Sequence, residues 1–220
     1  MKPVFFKQPA RLLLTLLFPI FFFQMTYAAV VKSKQSGAWT AASTWEGGAV
    51  PTDNDDVVIK IGHTVTRSNA FVSHGYLYVY GTMVYTGNVA REYYVGTNIE
   101  IDGVLRVEGG SLFAGGIVYG DGLFKQTAGN TTFFKAVVMK YTEILGGTMY
   151  YQNINNGNLY LENLTLKGAE ITVDGTEDLH VQNSMSWQHN GKFGGDLRID
   201  NGATLTFSPG NFKFYHHGFL

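Results

Sequence analysis

Ile99-Glu100-Ile101-Asp102-Gly103-Val104-Leu105-Arg106-Val107 sets two short runs of alternating residues on either side of an Asp-Gly turn. Alternation with period two marks a strand buried on one face, and Asp-Gly serves equally as a hairpin turn or as a corner. The flanking sequence decides between them, because runs of the same kind recur at Val57-Val58-Ile59, Leu77-Tyr78-Val79, Val118-Tyr119-Gly120, Val138-Met139-Lys140, Leu159-Tyr160-Leu161, Leu179-His180-Val181 and Leu197-Arg198-Ile199. Their first residues are separated by 20, 22, 19, 20, 21, 20 and 18 positions. Most are followed by a turn residue and a second run, as in Gly81 before Met83-Val84-Tyr85 and Asn201-Gly202 before Thr204-Leu205-Thr206-Phe207. A third run is visible at Thr132-Phe133-Phe134, Thr148-Met149-Tyr150-Tyr151 and Ile171-Thr172-Val173.

Two or three short strands per period predict an all-β fold, a single-stranded parallel β-helix of about eight rungs over residues 57–210. One rung cannot bury its apolar face alone, and stacked neighbours complete both the core and the hydrogen bonds. The rival is an antiparallel sandwich or barrel, in which turns fall every ~8–12 residues. Asp102-Gly103, Asp121-Gly122, Asp174-Gly175 and Asn201-Gly202 resemble hairpin turns, yet they recur mainly at one phase of the longer period. The alternation sends Leu77, Ile99, Val118, Val138, Leu159, Leu179 and Leu197 inward. An outward column of Tyr78, Glu100, Tyr119, Met139, Tyr160, His180 and Arg198 follows.

Ahead of the periodic region, Lys2, Lys7 and Arg11 precede an apolar run from Leu12 to Phe23, and Thr26-Tyr27-Ala28 supplies small residues. This reads as a secretory signal peptide over residues 1–28, cleaved after Ala28 or Ala29. About 12 apolar residues fall short of the ~20 that span a bilayer, so no membrane span is expected after cleavage. The whole chain of 220 residues holds 16 basic and 17 acidic residues and no cysteine. Loss of Lys2, Lys7 and Arg11 leaves 13 basic residues against 17 acidic, a charge of −4. That balance gives no electrostatic footprint for nucleic acid, and the missing cysteines exclude disulfides, thiol catalysis and Cys-ligated zinc. Charged residues are only 15% of the chain while 27 positions are glycine, a turn-rich and weakly charged composition. An exported protein at the cell surface or outside the cell is expected.

The segment 29–56 reads as an N-terminal cap. Trp39 and Trp45 are separated by five residues and followed by Gly47-Gly48, Pro51, an acidic turn at Asp53-Asn54-Asp55-Asp56, then Val57-Val58-Ile59 and Gly62-His63-Thr64-Val65. Residues 37–66 thereby resemble the opening of a G8 domain and related N-terminal β-helix modules of secreted bacterial surface proteins. The resemblance implies an extracellular β-rich module of a kind often appended to proteins that bind or process carbohydrate. Independently, an uncovered first rung would expose apolar residues and unpaired strand groups. Trp39 and Trp45 suit a plug over that end, and Pro51 discourages further pairing; sugar stacking is the alternative use of the two indoles. The acidic turn admits a calcium reading, but Asp-Asn-Asp-Asp is also an ordinary Asx-turn sequence and no EF-hand spacing follows. At the other end, residues 211–220 either fold over the last rung or continue into a longer protein. His216-His217 is a poor joint metal ligand, since neighbours on a strand face opposite ways.

No Gly-x-Ser-x-Gly, His-Glu-x-x-His or phosphate-cradling glycine loop is present. The sequence therefore predicts no catalytic residues, metal or cofactor, and a secreted non-catalytic module of a cell-surface or adhesion type. Its best site for an extracellular polysaccharide or cell-surface glycan is Tyr78, Tyr119, Tyr160, His180 and Arg198. The alternative is a carbohydrate-active lyase or hydrolase, or a fragment of one. Its carboxylates would come from Glu177, Asp178, Asp196 and Asp200, on rungs six to eight.

Overall fold

A computed structural model of the protein describes residues 29–68, 75–87, 92–152, 159–174 and 178–215. The expected signal peptide, Glu177 and His216-His217 lie outside those residues. Every strand pairing registered among the described residues is parallel, apart from an isolated antiparallel bridge between Ser33 and Trp45. The chain is a parallel β-solenoid with three sheets, and Asp102-Gly103 is a corner.

The first sheet stacks Val30–Lys32, Asp56–Ile59, Leu77–Val79, Ile99–Ile101, the opening residues of Val118–Phe133, Val137–Ile144, Leu159–Lys167 and Asp178–Gln188, and finally Asp196–Ile199. The second begins with Gly37–Ala38, Thr64–Arg67 and Thr82–Thr86, continues through the middle parts of the long strands, and ends at Thr204–Phe207. The third runs from Glu92–Val95 through Thr148–Gln152 and Glu170–Asp174 to Lys192–Gly194 and Lys213–Tyr215. The solenoid makes about six full turns, fewer than the eight rungs that the periodicity suggested. The turns opening at Leu77, Ile99, Val118, Val137, Leu159 and Asp178 close around buried side chains. In the last coil, Leu197, Ile199 and Leu205 are only half-buried. Strand pairing also reaches beyond residues 57–210, back to Val30 and forward to Tyr215.

The core consists of columns running from coil to coil. Leu77, Ile99, Val118, Val137, Leu159 and Leu179 form one, all fully buried. The fifth coil corrects the sequence reading: Val137 and Met139 point inward, while Val138 is 46% exposed and takes the outward place expected for Met139. Val137-Val138-Met139 is apolar at three consecutive positions, so alternation cannot choose a phase there. Register with Leu159 and Leu161 chooses it instead.

At the first end, Trp45 and Trp39 are buried with rings edge to face at 4.9 Å, and the Trp45 Nε1–H donates to the Trp39 carbonyl at 2.7 Å. Arg67, itself buried, lies with its guanidinium carbon 4.3 Å from the centre of a Trp39 ring, a cation–π contact shielded from water. The Asp55 carboxylate accepts hydrogen bonds from the Thr52 N–H and hydroxyl, both at 2.7 Å, and the Asp56 carboxylate accepts from the Tyr76 N–H at 2.7 Å. This acidic stretch is built as a turn that satisfies backbone donors.

Candidate functional site

The first sheet exposes a continuous outward column. Register places Lys32, Val58, Tyr78, Glu100, Tyr119, Val138, Tyr160, His180 and Arg198 one above another. Neighbours in such a column are about 4.8 Å apart, so Tyr78, Glu100 and Tyr119 are immediate neighbours. His180 is four steps from Glu100, about 19 Å away. The five expected binding residues thus share one face without forming one cluster.

Two groupings emerge. In the first, Glu100 bridges two phenols: the Tyr80 hydroxyl donates to one carboxylate oxygen and the Tyr119 hydroxyl to the other, each at 2.9 Å. The hydrogen bond to Glu100 favours the neutral phenol, burial disfavours the charged form as well, and ionising either phenol would also set an anion against the carboxylate. Both Tyr80 and Tyr119 are accordingly pushed up to about 12. Tyr78 is raised as well, mainly because burial disfavours its charged form. Along the same strand, the rings of Tyr76 and Tyr78 stack at 5.8 Å and those of Tyr78 and Tyr80 at 6.2 Å. Tyr78 therefore has a neighbour on each ring face and presents its edge and hydroxyl outward, rather than a flat platform.

In the second grouping, the rings of Tyr160 and His180 meet at 4.8 Å. His180 Nδ1 lies 3.2 Å from Asp200 Oδ1, and Arg198 Nε lies 3.6 Å from the same oxygen. Asp178 and Asp196 stand in register on the neighbouring strands. The concavity is elsewhere. A shallow groove of about 430 Å³ beside Tyr119 is lined by Glu100, Asp102, Asp121, Lys140 and Glu162 over a floor of Val138 and Met139. It lies nearer the middle of the solenoid than the rungs expected to carry catalytic carboxylates.

No protein-family model, curated protein or solved structure matches this chain. Its chemistry is read from the face itself. With both oxygens accepting from tyrosines, Glu100 is held as a fixed hydrogen-bonding post. Trp39 and Trp45 are buried and offer no open ring face for sugar stacking. Among the described residues, no group of three or more His, Cys, Asp or Glu side chains is arranged to hold a metal ion. No described helix is long and apolar enough to cross a membrane.

The outward column is legible in the sequence except at Val138, and Tyr76 and Tyr80 flank it at Tyr78. Tyr76-x-Tyr78-x-Tyr80 has the period of a single strand face, and that signal was available in the sequence. The meeting of Asp121 with Lys140 was not, since it lies at a register shift between Gly120 and Leu123 that the repeat spacing does not reveal.

Proposed function

We propose that this protein is a secreted, non-catalytic β-solenoid module of a cell-surface or adhesion type. In this reading, the outward face of its first sheet, from Tyr76 to Tyr160, binds an extended polysaccharide or cell-surface glycan. The observation that carries the reading is the Tyr80–Glu100–Tyr119 bridge at the rim of the groove. It fixes a carboxylate and two phenols on rigid strands, and fixed polar groups beside an apolar floor are what a hydroxyl-rich ligand requires. The lining charges add a preference: Glu100, Asp102, Asp121 and Glu162 against Lys140 disfavour uronate-rich polymers and favour neutral ones. Export is supported by the signal-like residues 1–28, and a surface setting by the G8-like residues 37–66.

Affinity electrophoresis and a glycan array test this reading. Tyr119→Phe removes one hydroxyl while keeping the ring, and it is expected to weaken retention by a neutral polysaccharide about 2- to 10-fold, the worth of one hydrogen bond. Tyr160→Ala should weaken it more than Arg198→Ala, and added salt should change little. Strong salt dependence with Arg198→Ala as the more damaging variant would assign the binding to charge. No retained polysaccharide in either assay would refute the proposal, and release of new reducing ends from a bound polymer would turn the assignment to an enzyme.

A further inference from the structure

The two ends of the solenoid are finished differently. In the first coil the large aromatics Trp39 and Trp45 are buried. At the other end, Asp196–Ile199, Thr204–Phe207 and Lys213–Tyr215 pair with the preceding coil and, among the described residues, with no further strand. Apolar side chains remain uncovered there: Phe207 is 55% exposed although it stacks on Trp187 at 6.0 Å and meets Phe212 edge-on at 5.3 Å. A row of strand groups with no partner among the described residues, next to an exposed aromatic, is a template for pairing with another strand.

We propose that this end is the contact surface of a two-fold dimer, in which the last coils of two copies of the chain pair edge to edge. The charge pattern favours a second copy as the occupant. Along Asp196–Ile199 the exposed residues are Asp196 and Arg198, with Leu197 between them and half-buried on the core side. A two-fold axis through Leu197 and perpendicular to the solenoid reverses this strand onto its own copy. Asp196 then stands opposite Arg198 of the second copy, and Arg198 opposite its Asp196. The two Leu197 side chains meet on the core side.

The same axis exchanges the second and third sheets. Thr204–Phe207 of each copy thus runs antiparallel to Lys213–Tyr215 of the other, and Phe207 is covered. Isologous contact of this kind closes on itself. Each copy spends this end once in such an isologous contact, so the contact itself makes a pair and not a filament.

Sedimentation velocity on the purified protein over a range of concentrations tests the proposal, with thermal melts to show that each variant is folded. The expected result is a dimer that dissociates on dilution. Asp196→Arg or Arg198→Asp alone sets like charges opposite each other in both symmetric pairs and should raise the dissociation constant at least tenfold. The double variant D196R/R198D restores opposite charges and should restore the dimer, and Phe207→Ser should weaken it without touching the charges. A wild-type monomer at every concentration would overturn the proposal, as when the terminal residues of the same chain cover the edge. Concentration-dependent filaments would overturn it equally. A dimer unaffected by either charge reversal, or not rescued by the double exchange, would overturn this pairing.

Discussion

Glu100 shows how one residue turns a structural column into a chemical site. It stands where a stack of tyrosines would otherwise continue, and each of its oxygens takes a phenol proton donor from a different coil. Folding raises Tyr80 and Tyr119 from the ordinary 10.0 to about 12. Both groups are more readily protonated in the folded chain. Their contribution to stability is therefore complete below pH 10 and is lost as pH rises through 12. Glu100→Ala should bring both phenols back toward 10, so that tyrosinate absorbance appears earlier on an alkaline titration and the fall in melting temperature above pH 10 becomes shallower. Tyr78 should keep most of its shift, since burial is its main cause. Identical titrations in the two proteins would show that the bridge does not form in solution.

At the scale of the element, the corners impose the strictest demands. Between the first and second sheets, Gly81, Gly103 and Gly122 lie one above another. A Cβ on Gly103 would sit 2.0 Å from the Gly81 carbonyl oxygen, and one on Gly122 would sit 2.2 Å from that of Gly103. Backbone oxygen cannot move aside as a side chain can, so the coils stack at their normal spacing only with glycine at these positions. Gly103→Ala should cost about 1–3 kcal/mol, in the range of other overpacking changes. In a chain of this size that lowers the melting temperature by roughly 3–10 °C. An unchanged melting temperature would mean that the corner is looser than the structure shows. The glycines were legible as corners because they recur with the period, but the close approach behind them was not. The same limit applies to Val137-Val138-Met139, where three apolar residues in a row carry no phase and only pairing with Leu159–Leu161 assigns an outward residue. It applies again to the groove, because Lys140 comes within 3.9 Å of Asp121 at a register shift between Gly120 and Leu123.

Over the whole molecule, the period carried the architecture. A repeat averaging 20 residues with three strand-length runs admits few folds other than a coil that stacks on itself, and the parallel register follows. Function is less legible because a solenoid spreads its outward residues along a shaft. The column formed by Tyr78, Tyr119, Tyr160, His180 and Arg198 is real in register yet too long to act as one pocket, and the acidic groove and tyrosine bridge concentrate chemistry between Tyr78 and Tyr160. This part of the first sheet is the proposed binding face. Amide NMR of the protein titrated with neutral oligosaccharides tests it most directly. Shifts are expected at residues 76–80, 99–102, 119–121, 138–140 and 160–162, with the second and third sheets unchanged. No perturbation along the first sheet, or shifts centred on the other two sheets, would contradict it.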